Sequence, residues 1–240
     1  MPRLLKVSSL AVAVAFLASN PALARTVTIP FIASNFSNPL DIDNPYFPLI
    51  PGTTWTYKAE TVDGCEVVIT HVTNDTKTLA GVTVRVVHDQ GFEGETCDSV
   101  ELIEDTFDCE GEGNCERGAG SWLAGVHGAK AGIFMLAHPR SGDAYSQEQA
   151  AGVAEDHALV TEVGITARMR RDDAFRRSYS NCLVTKEWTP LERGQIEFKT
   201  YCPNIGNVLT IEHHGKILRS ELTEFSSPAD ALRFRRPPRH

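Results

Sequence analysis

The sequence predicts an all-β protein, an antiparallel barrel or strongly curved sheet of about ten strands with one short helix near its C-terminus. Three observations predict this. Short runs rich in Val, Ile, Thr and aromatic residues recur between turns containing Gly, Pro or Asn. The clearest run, Thr53 to Thr61, alternates, with Trp55, Tyr57 and Ala59 on one face and Thr54, Thr56, Lys58 and Glu60 on the other. Cys182 and Cys202 stand equidistant from a turn centred near Glu192, as partners across a hairpin do. A two-sheet sandwich is the alternative use of the same strands.

In chain order, residues 1–24 read as a signal peptide. Arg3 and Lys6 form a basic start, Leu10 to Leu17 an apolar run, and Ala22-Leu23-Ala24 a small-residue cleavage site. The apolar run is shorter than the roughly 20 residues a membrane-spanning helix needs, and no second one follows, so no membrane span is expected. No Cys follows the cleavage site, which argues against a lipid anchor. The expected location is periplasmic or secreted. Cleavage removes two basic residues and no acidic ones, leaving 21 Lys+Arg against 31 Asp+Glu, a net charge of −10. Such a surface disfavours nucleic acid and anionic lipid as partners.

Residues 25–43 form an extended leader with isolated apolar positions, ahead of a single β domain over 44–226. Pro45, Pro48 and Pro51 hold its entry extended, and Pro51-Gly52 turns the chain into the opening strand. Cys65 to Thr73 and Val82 to Gln90 form a hairpin whose turn is placed at Asn74-Asp75-Thr76-Lys77. Ser99 to Phe107 is a third strand with an acidic outer face, and the Gly-rich region from Gly111 to Gly142 resists assignment. Strands resume at Ala144 to Glu148, Ala154 to Glu162 and Gly164 to Arg170. Asn181 to Trp188 and Gln195 to Cys202 make a hairpin, and Val208 to His213 and Lys216 to Phe225 another, turning at His214-Gly215. Ser227 as N-cap and Pro228 at the first position begin a helix to Phe234, after which 227–240 ends in a basic tail.

Three stretches, Asn44-Pro-Tyr-Phe-Pro-Leu-Ile-Pro-Gly-Thr-Thr-Trp55, Gly120-Ser-Trp-Leu-Ala-Gly-Val126 and Asn181-Cys-Leu-Val-Thr-Lys-Glu-Trp-Thr-Pro-Leu-Glu192, resemble a family of exported bacterial proteins of uncharacterised function. The resemblance implies a shared β-rich secreted domain and supplies no catalytic residue. In that family Glu104-Asp-Thr-Phe-Asp108 leads into an aromatic strand, whereas here Cys109-Glu-Gly-Glu-Gly-Asn-Cys-Glu116 follows.

Six cysteines in an exported chain point to disulfides, and six allow fifteen pairings. Local geometry favours Cys182 with Cys202, Cys109 with Cys115 around a short Gly-rich loop, and Cys65 with Cys97 at neighbouring strand starts. Within that loop Asp108, Glu110, Glu112 and Asn114 place oxygen ligands on alternate residues, with Gly113 sixth, which mimics the first half of a calcium loop. Ala119 stands where the bidentate Glu belongs, so calcium is the only cofactor the sequence suggests, and weakly patterned.

The hairpin register that joins Cys182 to Cys202 sets Glu187 opposite Glu197, a carboxylate pair suited to acid/base work or to holding a cation. The plainer expectation is neutralisation by Lys199 or Arg193 at the surface. His71 is placed opposite Val82 and His88 opposite Cys65, too far apart to share a metal. Arg168, Arg170, Arg171, Arg176 and Arg177 form a basic island beside Asp172 and Asp173, and pairing with those acids is the expectation. The sequence holds no Gly-x-Ser-x-Gly elbow, His-Glu-x-x-His, Walker loop or strand-linked Gly-x-Gly-x-x-Gly.

Three functional readings follow. The first is a non-enzymatic exported module presenting Trp55, Tyr57, Trp122 and Trp188 towards a pocket for an apolar or amphipathic small ligand. The second is an exported hydrolase using Glu187 and Glu197 or a dispersed triad. The third is a calcium-stabilised structural or interaction protein.

Overall fold

The computed structural model describes residues 24–61, 63–108 and 122–228. The strands are β1 (Arg25–Thr26), β2 (Thr54–Thr61), β3 (Gly64–Leu79), β4 (Val82–Gly94), β5 (Val100–Asp108), β6 (Lys130–Ala131), β7 (Asp143–Ser146), β8 (Glu148–Gln149), β9 (His157–Arg168), β10 (Ser178–Trp188), β11 (Ile196–Cys202), β12 (Gly206–His214) and β13 (Lys216–Ser226). Eleven of them build one sheet in the order β1-β7-β9-β10-β11-β12-β13-β2-β3-β4-β5, and β6 pairs with β8 apart from it. The protein is therefore all-β. Two antiparallel meanders, β9 to β13 and β2 to β5, are joined where β13 pairs with β2, so the opening strand sits at the seam.

No closed barrel forms among the described residues; β1 and β5 are edges. The first meander is nonetheless strongly curved. In a flat sheet β9 and β13, four positions apart, would lie roughly 19 Å from each other. Here the Arg168 carbonyl at the end of β9 accepts from Arg219 Nη2 of β13 at 3.3 Å. The loop that follows donates Phe175 N–H to the Leu222 carbonyl at 3.0 Å. Of the helix expected over 227–234 only Ser227 and Pro228 are described; the rest lies outside the described residues.

The hairpin β3–β4 corrects two expectations. Its turn is Ala80-Gly81, both at positive φ, not Asn74-Asp75-Thr76-Lys77, which runs within β3. A bulge between Val72 and Thr76 absorbs the Asn-Asp pair, and a two-residue loop with both φ positive matches the twist of the strands. The shifted turn sets His71 directly opposite His88. Each is tied sideways instead, His71 Nδ1 to Thr54 Oγ1 at 2.9 Å and His88 Nε2 to Asp105 Oδ1 at 2.5 Å. A third correction concerns Gly164, which does not separate two strands. β9 runs through it, and bulges against β10 absorb Gly164 and Asn181 at positive φ.

Two disulfides lie among the described residues. Cys182–Cys202 joins β10 to β11 in the expected register. Cys65–Cys97 ties the start of β3 to the turn between β4 and β5, with Cys97 outside a strand, not at the start of one. Cys109 and Cys115 fall outside the described residues.

The main core gathers Trp55, Val72, Ala167, Met169, Tyr179, Cys182, Cys202, Ile205, Val208, Leu209 and Leu222. A smaller one, Leu136, Tyr145, Ala158 and Val160, is covered by Val27 and Ile133. The leader thus packs onto the sheet. Asn44 Nδ2 donates to the Leu136 carbonyl at 3.2 Å, and the Phe47 and Phe134 rings stand 4.0 Å apart.

Candidate functional site

Disulfide and hairpin register together place Glu187 opposite Glu197 at one end of the sheet, as the spacing of the cysteines predicts. Lys199, two residues from Glu197 and so on the same face, puts Nζ between them, 3.0 Å from Glu187 Oε2 and 2.8 Å from Glu197 Oε2. Neutralisation by Lys199 is observed, but not at the surface: Glu187 is only 7% exposed. Its other oxygen accepts from Thr185 Oγ1 at 2.7 Å and Tyr201 O–H at 3.3 Å. Burial opposes the charge on Lys199, yet the two carboxylates outweigh it and hold its pKa above the ordinary lysine value. Burial and then the Glu187 carboxylate push the Tyr201 phenol well above its ordinary value. Both oxygens of Glu187 are committed, and an ammonium fills the gap a hydrolytic carboxylate pair leaves for substrate or water.

A separate cleft of about 570 Å³ opens where β7 ends at Ser146, β9 begins at His157 and β10 ends at Trp188. Segment 122–130 forms one wall and residues 146–157 the other. Trp122, Leu123, Val126, Ala150 and Val153 supply apolar surface, and Glu148, Glu155 and the two histidines His127 and His157 supply polar groups. Trp122 Nε1 donates to Glu148 Oε1 at 3.2 Å. His157 accepts or donates at Ser146 Oγ, 3.2 Å away, and its ring stands 5.6 Å from that of Trp188. Lys186 Nζ lies 5.9 Å from the centre of the Trp188 ring. Burial raises the pKa of both Glu148 and Asp156 above the usual carboxylate range, partly offset by hydrogen bonds from Trp122 and Thr189 and by the charge of Lys199.

The four aromatics predicted to line one pocket are divided. Trp55 is buried in the main core and donates Nε1–H to the Ile205 carbonyl at 2.6 Å. Tyr57 is half-buried beside it, its O–H donating to the Asn207 carbonyl at 3.0 Å. Only Trp122 lines the cleft, with Trp188 reaching it through His157. Sequence reasoning missed Glu148, Glu155, Asp156 and His157 as neighbours of Trp122. Their one visible signal is the acidic spacing within Glu148 to His157, which no periodicity organises.

It missed Glu221 as well. This carboxylate, with no exposed side-chain surface, accepts from the Arg170 and Arg171 backbone N–H groups at 2.9 Å and from Arg219 Nε at 2.5 Å. Burial works against its charge, but those donors prevail and hold its pKa below the ordinary glutamate value. Two members of the arginine island pair with the neighbouring acids, Arg171 with Asp173 and Glu60, and Arg177 with Asp172, while Arg176 lies over the Phe175 ring.

The suggested calcium ligands Glu110, Glu112 and Asn114 lie outside the described residues, as does the Asp108 side chain. Among the described residues no group of three or more His, Cys, Asp or Glu is arranged to hold a metal ion. No helix among them is long and apolar enough to cross a membrane.

No known protein family matches the chain, and no curated protein does. Two solved structures resemble it. One is a Bacteroides fragilis protein inferred to be exported, with a YmcC-like fold, 13% identical over 76% of this chain and 99% of that one, with a TM-score of 0.37. The other is a Parabacteroides distasonis protein inferred to be a lipoprotein, 14% identical over 76% and 99%, with a TM-score of 0.36. At that level of likeness nothing about function is carried across.

Proposed function

We propose that the chain is an exported, non-enzymatic binding module that takes an apolar or amphipathic small ligand in the cleft between segment 122–130 and residues 146–157. The observation that carries this reading is the cleft itself, about 570 Å³ with Trp122 in its wall. That volume falls within the range of small-molecule sites, which combine an apolar lining with a few polar groups. The lining has that composition, with Leu123, Val126 and Val153 beside Glu148, Glu155 and His157. Support also comes from the neighbouring carboxylate pair, whose oxygens are already engaged by Lys199, Thr185 and Tyr201. That leaves the cleft, not the pair, as the place for a guest.

The test is native mass spectrometry of the protein purified from its exporting host, followed by extraction and identification of any bound species. One small molecule per chain is expected, lost in Trp122→Ala. A chain of bare mass that also fails to take up apolar or amphipathic probes in solution would overturn the reading.

A further inference from the structure

We propose that the polar end of the ligand is cationic, an amine or quaternary ammonium group carried on an apolar body. This rests on the cleft being the binding site and adds what the cleft would select. The argument begins with charge. Glu148 and Glu155 stand in the cleft wall, and Asp156 lies next to the second of them. Glu187 and Glu197 lie beyond, close enough to influence Asp156. Against these five carboxylates stand three ammonium groups, Lys130 in the wall, Lys186 beside Trp188, and Lys199 between Glu187 and Glu197. Lys199 is shared between Glu187 and Glu197, and its charge also lowers the pKa of Glu148 and Asp156. The net charge around the cleft is therefore about two negative units in a partly desolvated setting, where charge attraction is stronger than in open water.

The shape of the site agrees with the charge. The hydrogen bond from Trp122 Nε1 to Glu148 Oε1 holds an indole ring and a carboxylate side by side at the wall. An aromatic ring with an anion at its edge can read an alkylammonium group, because the ring's quadrupole and the carboxylate attract the same cation. Glu155 is fixed as well, its Oε1 accepting the Gly152 N–H at 2.6 Å. Leu123, Val126 and Val153 then offer apolar surface for the body of the ligand. Burial is what raises the pKa of Glu148 and Asp156, and a bound cation would offset that cost to their charge. An anionic amphiphile would meet the same carboxylates as repulsion.

Isothermal titration of the mature chain with octyltrimethylammonium, octanoate and octyl glucoside, each below its micelle concentration, separates the possibilities. The cation is expected to bind at least about tenfold more tightly than the glucoside, with octanoate weakest. Raising NaCl from ~0.05 to ~0.5 M should weaken the cation severalfold and leave the glucoside unchanged. In Glu148→Gln, and independently in Glu155→Gln, the preference for the cation over the glucoside should fall at least severalfold. A urea denaturation midpoint close to that of wild type shows that each variant is folded; if one variant fails to fold, the other gives the answer. Octanoate or glucoside binding as tightly as the cation would overturn the inference and leave the cleft reading standing. No binding by any of the three would overturn both.

Discussion

Trp55 and Tyr57 on the one hand, and Trp122 and Trp188 on the other, put the same chemistry to different uses. The first pair gives its polar atoms to backbone carbonyls, those of Ile205 and Asn207, across the turn between β11 and β12. The second pair leans on side chains, Trp122 on Glu148 and Trp188 on His157 and Lys186. A backbone carbonyl in a strand or in the tight turn joining two strands moves little without the sheet, whereas a carboxylate or imidazole can rotate to admit a guest. An aromatic residue in a curved sheet is therefore no pointer to a site until the partner of its polar atom is known. Those at the seam of the two meanders hold the fold, and those at the open end of β7, β9 and β10 border a cleft.

The largest expected effect tests the first half of this contrast. Trp55→Ala empties a place in the main core and leaves the Ile205 carbonyl without its donor. It should cost about 3–5 kcal/mol in urea denaturation, the range for removing a large buried aromatic. A loss under about 1 kcal/mol would mean the ring is not structural and that the two pairs do not differ.

The sequence made the first pair and the hairpin legible because both follow from strict alternation. Trp55 and Ala59 are buried at every fourth position of β2, with polar residues between, and Cys182 and Cys202 fix a register that puts Glu187 opposite Glu197. What lay hidden came from contacts distant in the chain. Glu221 is held by N–H groups some 50 residues away, and no local pattern distinguishes it from the surface Glu224. The burial of Glu187 depends on Thr185, Lys199 and Tyr201 sharing its face, a signal present in the alternation of both strands but outweighed by the surface habit of glutamate. The turn at Ala80-Gly81 was masked by Asn74-Asp75, the stronger turn signal by composition. The cleft was the least legible, since its walls come from segments without period.

Glu221 sharpens the comparison with an intermediate effect, since it fastens the loop after β9 to the seam side of the sheet. Glu221→Gln should cost about 2–3 kcal/mol at pH 7, because Arg219 and two backbone N–H groups lose a charged acceptor. The sign of the pH dependence follows from the lowered pKa in the folded chain. The unfolded glutamate titrates near pH 4.3, so the contribution is whole above about that value and is lost as pH falls through the lower folded value. Denaturation curves of wild type and variant should therefore converge below about pH 4. A gap that stays constant from pH 7 down to about 3 would show that the carboxylate's charge is not what fastens the loop.

The smallest expected effect is the one that decides whether the second pair borders a site. Trp122→Ala removes a half-buried ring whose N–H partner, Glu148, also faces the cleft and can be rehydrated there. Freed of the indole N–H, Glu148 loses the hydrogen bond that lowers its pKa, while water gains access to offset its burial. These changes oppose each other, and the ring belongs to neither core cluster, so the cost in stability should be about 1 kcal/mol or less. Ligand uptake should fall at the same time, by at least about tenfold, because the wall of the cleft goes with the ring. Measured together by urea denaturation and titration, a small stability loss with a large binding loss is the signature of a residue held ready for a partner outside the chain. If Trp122→Ala instead destabilises the fold as much as Trp55→Ala, the wall is core, the space beside it is a packing gap, and the contrast between the two pairs collapses.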